Sequence, residues 1–381
     1  MVSARPPRKP AATCVAKSTS TRASKKIGSR TKPKFVWKRK EWEETRELCH
    51  NVHLLRSTVT AQARVVKKVV SLEEGEPADL RHIEVRLVEL LPRCNRIVQV
   101  LSYVPHYPDP GNGTIFYDYF PLGDLRAWRE KEYVRRNHKQ VPESNIWRFF
   151  IQVGQALAFI QNELGPSREN RACILHRDIK PKNILVMDNG STYPSFKLHD
   201  FGCGTLLHSL KKSTSYCGTY EWQPPENPKI NTRAADMWAV GACVYFMAVG
   251  GPPLKATKYP TQAELQERGI TQSVFQRYGG FERCWAARGP REVVPINLSR
   301  DEQIARAILP LVYSDRGPIY MTPYSDLLNK WMCRALAERP SERPTAMTLV
   351  NEMTPQALEI LKKMAGTSGL VDLELKWEER R

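Results

Sequence analysis

The eight residues His-Arg-Asp-Ile-Lys-Pro-Lys-Asn at positions 176–183 constrain this chain more than any other segment. After one short strand-like stretch they are followed by Asp-Phe-Gly at positions 200–202. The two segments supply a carboxylate, a lysine two residues later, and an amide and a second carboxylate that can hold a hard cation. Phosphoryl transfer requires these groups: a base beside the attacking hydroxyl, a positive charge at the moving phosphate, and oxygen ligands for Mg²⁺.

The two segments resemble the catalytic loop and the metal-binding loop of the eukaryotic-type serine/threonine protein kinases. An isolated His-Arg-Asp is common by chance, whereas the full string followed at this spacing by Asp-Phe-Gly is not. The resemblance covers about residues 40–355. It implies the α+β, bilobal protein-kinase fold, with a small β-rich N-lobe that contains one helix and a larger helical C-lobe. It also implies ATP and Mg²⁺ as cofactors and a protein as the substrate.

The resemblance assigns a role to each polar residue of the two segments. Asp178 would accept the proton of the substrate hydroxyl and align that oxygen for attack. Lys180 would neutralise the γ-phosphate, and a lysine at this position is typical of the serine/threonine kinases. Asn183 and Asp200 would bind Mg²⁺ through oxygen atoms, with Asp200 as the main ligand.

The predicted nucleotide site in the small lobe depends on weaker signals. Lys67 is the best match to the strand lysine that holds the α- and β-phosphates, and Lys68 is its rival. Strand alternation then places Val65 on the face of Lys67, against adenine. Glu84 is expected to pair with Lys67 from a helix, the alternative being a solvated helical glutamate. Five more residues are expected around the nucleotide, in the second strand and in the hinge between the lobes: Val52, Tyr117, Asp118, Phe120 and Asp124.

The segment that should form the glycine-rich loop departs from the family. Residues 42–52 contain no glycine, although glycine lets the backbone amides close over the phosphates. One alternative is therefore a pseudokinase, a signalling scaffold with weak or no catalysis. A kinase that acts on small molecules is a further alternative. The segment that contains Thr219 and Glu226 disfavours it, because this segment resembles a platform that binds peptides. The missing glycines and the long insertions resemble divergent kinases of filamentous fungi.

The family resemblance also predicts contacts that hold the larger lobe together. Thr219 should contact Asp178 and Lys180, and Glu226 should pair with Arg343. Asp236, in an Asp-Met-Trp sequence, should bind the backbone of the catalytic loop. A phosphate on Ser213, Thr214 or Ser215 could pair with Arg177, the alternative being that these side chains are ordinary loop residues.

The positive charge of the chain is concentrated at its start. The net charge is +18, but residues 1–40 hold thirteen basic and no acidic residues, leaving 45 basic against 40 acidic residues elsewhere. Residues 1–35 also contain almost no large apolar side chains, so we expect disorder. Such a tail could direct the protein to the nucleus or contact acidic surfaces such as nucleic acid, and a solvated linker or a transit peptide are the alternatives. We expect a nuclear or cytoplasmic protein.

Three further expectations concern the rest of the chain. The longest apolar run, from Met237 to Val249, is shorter than the roughly 20 residues that span a bilayer. Nine scattered cysteines favour reduced thiols over a disulfide framework or a zinc site. The predicted organisation is a tail at 1–35, a kinase domain at 36–355 divided near residue 120, and a helical C-terminal tail at 356–381. Insertions are predicted at 162–173, 188–195 and 254–323.

Overall fold

The computed structural model describes residues 35–72, 81–135, 139–209, 217–226, 232–255, 260–314 and 317–378. The predicted disorder of the basic tail therefore concerns residues outside the described part, except for Phe35. The first part of the chain forms a five-stranded antiparallel sheet with the order β1-β2-β3-β5-β4. The strands are β1 (Trp42–Cys49), β2 (Val52–Ser57), β3 (Arg64–Ser71), β4 (Val100–Val104) and β5 (Asn112–Asp118).

The two faces of this sheet are covered by different parts of the chain. On one face, Ile115 and Tyr117 pack with Val85 of helix α1 (Ile83–Leu90). On the other face, Phe116 packs with aromatic residues that precede or begin β1: Phe35, Trp37 and Trp42. Because both faces bury apolar residues, β3 carries valines on both of its sides and shows no simple alternation between polar and apolar positions.

The second part of the chain is mainly helical, as the resemblance predicted. Helix α3 buries nearly all of its residues, and α4 begins at an N-cap formed by Thr232, whose side chain accepts a hydrogen bond from the Ala235 N–H. Together with α9 and α11 these helices enclose the largest apolar core of the protein. The helices from α2 onward are α2 (Leu125–Arg129), α3 (Glu143–Ile160), α4 (Arg233–Val249), α5 (Gln262–Glu267), α6 (Gln272–Tyr278), α7 (Phe281–Arg288), α8 (Arg300–Ala305), α9 (Asp326–Ala335), α10 (Ala346–Thr348) and α11 (Thr354–Ala365).

Three short two-stranded sheets complete the described secondary structure. Strand β6 pairs with β9, and β7 pairs with β8, so these four strands flank the catalytic loop and the metal-binding loop. Strands β10 and β11 lie in the segment 254–323, which was predicted to be an insertion and also holds helices α5 to α8. The strands are β6 (Ile174–Leu175), β7 (Ile184–Met187), β8 (Ser195–Leu198), β9 (Thr205–Leu206), β10 (Val312–Ser314) and β11 (Gly317–Ile319).

The C-terminal segment differs from the expected helical tail. The boundary expected after residue 355 lies inside α11, and the chain is helical only as far as Leu370, after a 3₁₀ segment. Residues 371–378 then run back to the segment that follows α1, where the Glu378 N–H donates to the Arg93 carbonyl at 2.9 Å. None of the helices in the described ranges is long and apolar enough to cross a membrane.

Candidate active site

Three polar side chains, two of them from the catalytic loop between β6 and β7, surround the Asp178 carboxylate. Lys180 Nζ donates to Asp178 Oδ2 at 2.7 Å, and Thr219 Oγ1 donates to Asp178 Oδ1 at 2.8 Å. Asn183 Nδ2 donates to Asp178 Oδ2 at 3.0 Å and to its main-chain carbonyl at 2.8 Å. Lys180 also donates to Thr219 Oγ1 at 2.7 Å. The predicted contact of Thr219 with Asp178 and Lys180 is therefore confirmed.

A buried aspartate of helix α4 fixes the backbone of this loop. Asp236 accepts hydrogen bonds from the N–H groups of His176 and Arg177, both at 2.9 Å. Arg177 has a φ of 69°, a left-handed conformation that a non-glycine residue adopts only at a cost. Burial raises the pKa of the Asp236 carboxyl. The predicted tie between this helix and the loop is confirmed, and it holds the strained turn that presents Asp178.

Asp200 lies in the metal-binding loop with its carboxylate next to a lysine. Lys68 Nζ donates to Asp200 Oδ1 at 2.8 Å. Burial opposes ionisation of this carboxyl, but the Lys68 ammonium outweighs it and lowers the pKa of Asp200 below its usual value. Asp200 is therefore an ionised carboxylate at neutral pH. Phe201 is buried and packs against the His176 ring with centroids 4.8 Å apart, which orients the loop.

The strand lysine at this site is Lys68. Its Nζ donates to Glu84 Oε2 at 2.7 Å, in addition to its bond with Asp200. Burial alone would lower the pKa of Lys68, but the Glu84 and Asp200 carboxylates raise it above its usual value. Lys67 instead donates to Glu44 of β1. The prediction that Lys67 occupies this position and pairs with Glu84 is therefore wrong.

The register of the sheet gives the physical reason for this correction. Val66 lies opposite Tyr117 and Lys68 opposite Ile115, on the face that packs against α1. Val65 belongs to the other face, which the aromatic residues that precede or begin β1 cover. Val66 therefore replaces Val65 as the β3 residue that faces the site.

Glu84 is held in the site by more than the lysine. Its side chain is 1% exposed, and its Oε1 accepts a hydrogen bond of 2.6 Å from the Tyr117 hydroxyl. Burial, reinforced by the Glu84 carboxylate, raises the pKa of Tyr117 well above its usual value. Tyr117 thus remains a hydrogen-bond donor at all physiological pH values. The position of Glu84 excludes the alternative of a solvated helical glutamate.

The hinge residues lie where β5 leaves the sheet. Asp118 is paired with Val65 in the β3–β5 ladder, and the Phe120 carbonyl accepts a hydrogen bond of 3.0 Å from the Gly123 N–H. Asp124 caps helix α2, because its Oδ1 accepts a bond of 2.8 Å from the Ala127 N–H. Asp124 also forms an isolated bridge with Leu185 of β7, which fastens the hinge to the catalytic loop.

Two apolar residues of the cleft were missed by the sequence analysis. Leu54 lies opposite Val66, whereas the predicted Val52 lies two residues earlier in β2, opposite Lys68. Leu185 follows Asn183 by two residues and packs against the cluster beneath β5. Strand alternation from Asn183 could have identified Leu185. A cavity of about 330 Å³ lies between the sheet and the hinge, lined by Thr45, Arg46, Leu54, Arg56, Arg64 and Tyr119.

The segment without glycines is a tight hairpin. Cys49 pairs with Val52, and His50 and Asn51 form the turn between them. Asn51 has a φ of 62°, which asparagine tolerates better than most residues. The β1–β2 hairpin therefore forms without glycine. Residues with side chains take the place of the glycines that the resembled kinases have in this loop.

The oxygen donors of the site fit Mg²⁺. Asp200 is ionised, and Asn183 uses its amide nitrogen toward Asp178, which leaves the amide oxygen for a cation. The His199 N–H donates to the Asn183 carbonyl at 2.9 Å, so the two loops that carry these donors are adjacent. Magnesium commonly uses one or two protein ligands and takes its other ligands from phosphates and water.

The predicted ion pair between Glu226 and Arg343 is present. Arg343 Nη1 and Nη2 donate to the two oxygens of Glu226 at 2.9 and 2.7 Å. Arg343 is buried, and its guanidinium also donates to the carbonyls of Ala234, Ala337 and Glu338. A bidentate pair of this kind fixes the segment around Glu226 against helix α4. The predicted phosphorylation positions Ser213, Thr214 and Ser215 lie outside the described residues.

A disulfide corrects the expectation that all cysteines are reduced. Cys203, directly after Asp-Phe-Gly, is bonded to Cys217, two residues before Thr219, with the two Cα atoms 5.9 Å apart. The bond joins the metal-binding loop to the segment that contacts Asp178. No sequence signal predicts this pairing, because two cysteines fourteen residues apart need not approach each other.

We expect the double substitution Cys203→Ser/Cys217→Ser to lower the free energy of unfolding by about 3 kcal/mol relative to the oxidised protein, because the closed loop restricts the unfolded chain. Denaturant unfolding monitored by tryptophan fluorescence measures this difference. Cys49→Ser removes an exposed free thiol and serves as the control. Peptide mapping without reductant that found Cys203 and Cys217 as free thiols would contradict the bond.

Comparison with known proteins agrees with this geometry. Residues 51–353 match the family described as the protein kinase domain. Serine/threonine-protein kinase atg1 of Dictyostelium discoideum is 29% identical over 49% of this chain and 26% of its own length. Probable serine/threonine-protein kinase nek2 of the same organism is 34% identical over 38% of this chain and 32% of its own length. Aurora kinase A-A of Xenopus laevis is 28% identical over 59% of this chain and 50% of its own length.

The aligned part of this chain spans between about a quarter and a half of the length of these relatives. The family match is more extensive, because it covers most of the chain and includes the Lys68–Glu84 pair, the catalytic loop and the metal-binding loop. The bilobal α+β fold and the family match lead to the same assignment. This chain belongs to the protein kinase domain family.

Proposed function

We propose that this protein is a serine/threonine protein kinase that transfers the γ-phosphate of ATP to a hydroxyl group of a protein substrate. The observation that carries the proposal is the arrangement at Asp178, whose carboxylate oxygens are held by Lys180, Thr219 and Asn183. A carboxylate oriented in this way can accept the proton of an incoming hydroxyl and align that oxygen for in-line attack. Lys180, already next to the carboxylate, supplies positive charge where the phosphoryl group moves.

The other half of the site suits the nucleotide. Lys68 is fixed between Glu84 and Asp200, so its ammonium is held ready for the α- and β-phosphates without a rearrangement of α1. Val66 and Leu54 from the sheet and Leu185 from β7 provide apolar surface for a purine base. Mg²⁺ held by Asp200 and Asn183 would neutralise phosphate charge. The missing glycines concern the β1–β2 hairpin and leave Lys68, Asp200 and Asn183 unchanged.

A non-catalytic scaffold receives no support from this geometry. That alternative depended on the absent glycines, and the charged groups needed for transfer are nevertheless assembled in one place. Lys68, Glu84 and Asp200 form a continuous set of ion pairs, and Asp178 and Asn183 lie in the neighbouring loop. An unused site has no need of a buried glutamate and an ionised aspartate on the same lysine.

The test is Mg-ATP-dependent phosphorylation of generic acidic and basic protein substrates by the purified full chain, followed by phosphoamino acid analysis. We expect phosphoserine or phosphothreonine with the wild-type protein and a loss of at least about a hundredfold with Asp178→Asn, which keeps the shape but removes the base. Asp301→Asn, an exposed position in the first turn of α8, is the matched control. Equal rates for wild type and Asp178→Asn, or phosphotyrosine as the product, would refute the proposal.

A further inference from the structure

The C-terminal segment Val371–Glu378, here called the strap, lies beyond residue 353, where the match to the kinase family ends. It forms main-chain contacts with the connection between α1 and β4. The Asn95 N–H donates to the Lys376 carbonyl at 3.0 Å, and Cys94 forms an isolated antiparallel bridge with Trp377. The strap therefore belongs to the folded domain, although it is separated in sequence from these residues by more than 270 positions.

One ion pair is the centre of this contact. Arg96 is fully buried, and its Nη1 donates to Asp372 Oδ2 at 3.2 Å. Asp372 also accepts bonds from Asn95 Nδ2 at 3.0 Å and from Ser195 Oγ at 2.6 Å. A buried guanidinium needs such a partner, because an unpaired buried charge is strongly destabilising. Asp372 thus holds Arg96 and the first residue of β8 at the same time.

The main chain of Arg96 is hydrogen-bonded to β8, the strand that precedes the metal-binding loop. Its carbonyl accepts a hydrogen bond of 2.9 Å from the Leu198 N–H, and the Val98 N–H donates to the Leu198 carbonyl at 3.0 Å. Leu198 ends β8 two residues before Asp200. Val98 also packs with Val85, the neighbour of Glu84. The segment fixed by Asp372 therefore sets the position of the strand that presents Asp200.

Two glutamines of helix α3 also form hydrogen bonds with the strap. Gln152 Nε2 donates to the Asp372 carbonyl at 2.8 Å, while its Oε1 accepts a bond of 2.8 Å from the Phe196 N–H of β8. Gln155 Nε2 donates to the Leu373 carbonyl at 2.8 Å, and its Oε1 accepts a bond of 2.9 Å from Arg96 Nε. The same two glutamines thus join the strap to β8 and to Arg96, so a shift of the strap is transmitted to both.

We propose that Asp372 is a positioning residue for phosphoryl transfer, which acts through Arg96 and β8 on the placement of Asp200. The proposal rests on the kinase activity proposed above and extends the functional unit to a segment outside the matched domain. Groups that orient a metal ligand without touching the metal commonly change metal affinity or activity when they are replaced.

The test compares Asp372→Asn with Glu374→Gln, which neutralises an exposed carboxylate on the same strap. Asp372 has a φ of 54°, and asparagine tolerates this conformation, so the variant keeps the backbone and removes the charge. We expect the Mg²⁺ concentration for half-maximal rate to rise about tenfold in Asp372→Asn and to stay unchanged in Glu374→Gln. Hydrogen exchange of the Leu198 amide should accelerate, while amides in the middle of α4 keep their protection.

The exchange measurement needs no activity, so it separates this proposal from the kinase assignment. Faster exchange at Leu198 in a protein without transferase activity would refute the proposed function and keep the coupling between the strap and β8. Should Asp372→Asn fail to fold, Ser195→Ala removes one of the bonds to Asp372 and should shift both readouts in the same direction by a smaller factor. An unchanged Mg²⁺ dependence, or loss of protection spread evenly over the protein, overturns the inference.

Discussion

Asp200→Ala should reduce the rate of phosphoryl transfer by about a thousandfold or more at saturating Mg-ATP. The carboxylate is ionised because Lys68 lies next to it. Of the two proposed Mg²⁺ ligands, Asp200 and Asn183, it is the one that carries a charge. Without it, Mg²⁺ loses its main ligand, and the phosphate charge that develops in the transition state is no longer neutralised. A loss of about 4 kcal/mol of transition-state stabilisation corresponds to this factor. Initial rates with a labelled γ-phosphate measure it.

The controls for Asp200→Ala separate chemistry from folding. Asp301→Ala removes an exposed carboxylate of α8 and should leave the rate unchanged. Far-ultraviolet circular dichroism should give the same spectrum for both variants and the wild type, because Phe201 and His176 still pack together and hold the loop. A rate within a few-fold of wild type for Asp200→Ala would show that Asp200 does not hold the reacting metal ion.

The catalytic loop was predictable because its geometry is local. Asp178, Lys180 and Asn183 lie within six residues of one another, so their spacing alone brings the three side chains together. The helical lobe was also predictable, because long apolar segments such as α4 have the period and length of buried helices. The apolar run from Met237 to Val249 lies inside α4, which begins at Arg233 and ends at Val249.

The strand lysine was less predictable, because β3 is buried on both faces. The sequence Arg-Val-Val-Lys-Lys-Val-Val gives each face one lysine and two valines. Alternation therefore separates the two faces and does not say which one meets the cleft. The deciding contacts are Tyr117 and Val85 on one side and Phe116 and Trp37 on the other. These contacts come from distant parts of the chain.

The disulfide and the strap could not be predicted for the same reason. Cys203 and Cys217 meet only in the folded chain, and the expectation of reduced thiols was drawn from spacing alone. Asp372 meets Arg96 across 276 residues of sequence. An aspartate is usually solvated, and only the folded structure shows that this one neutralises a buried guanidinium.

Lys68→Met and Lys67→Met form a matched pair with very different expected effects. Lys68→Met should lower kcat/KM by at least about a hundredfold, equivalent to about 2.7 kcal/mol, because the phosphates lose their cation and Glu84 remains as a buried carboxylate without its ion pair. Lys67→Met should stay within a few-fold of wild type. Its partner Glu44 has a side chain that is 49% exposed, and an ion pair open to solvent contributes about 1 kcal/mol or less.

Burial alone would predict that Lys67 matters more for activity than Lys68, which makes the comparison of the two variants informative. The Lys67 side chain is 10% exposed and that of Lys68 is 19% exposed, so the more buried residue is the one expected to matter less. The difference lies in the partners: Lys68 faces Glu84 and Asp200 in the cleft, while Lys67 lies on the face covered by Trp37 and Trp42. Calorimetric binding of Mg-ATP to both variants, beside initial rates, measures the contrast. If Lys67→Met is the more damaging change, the register assigned to β3 in the site is incorrect, and Lys67 holds the phosphates.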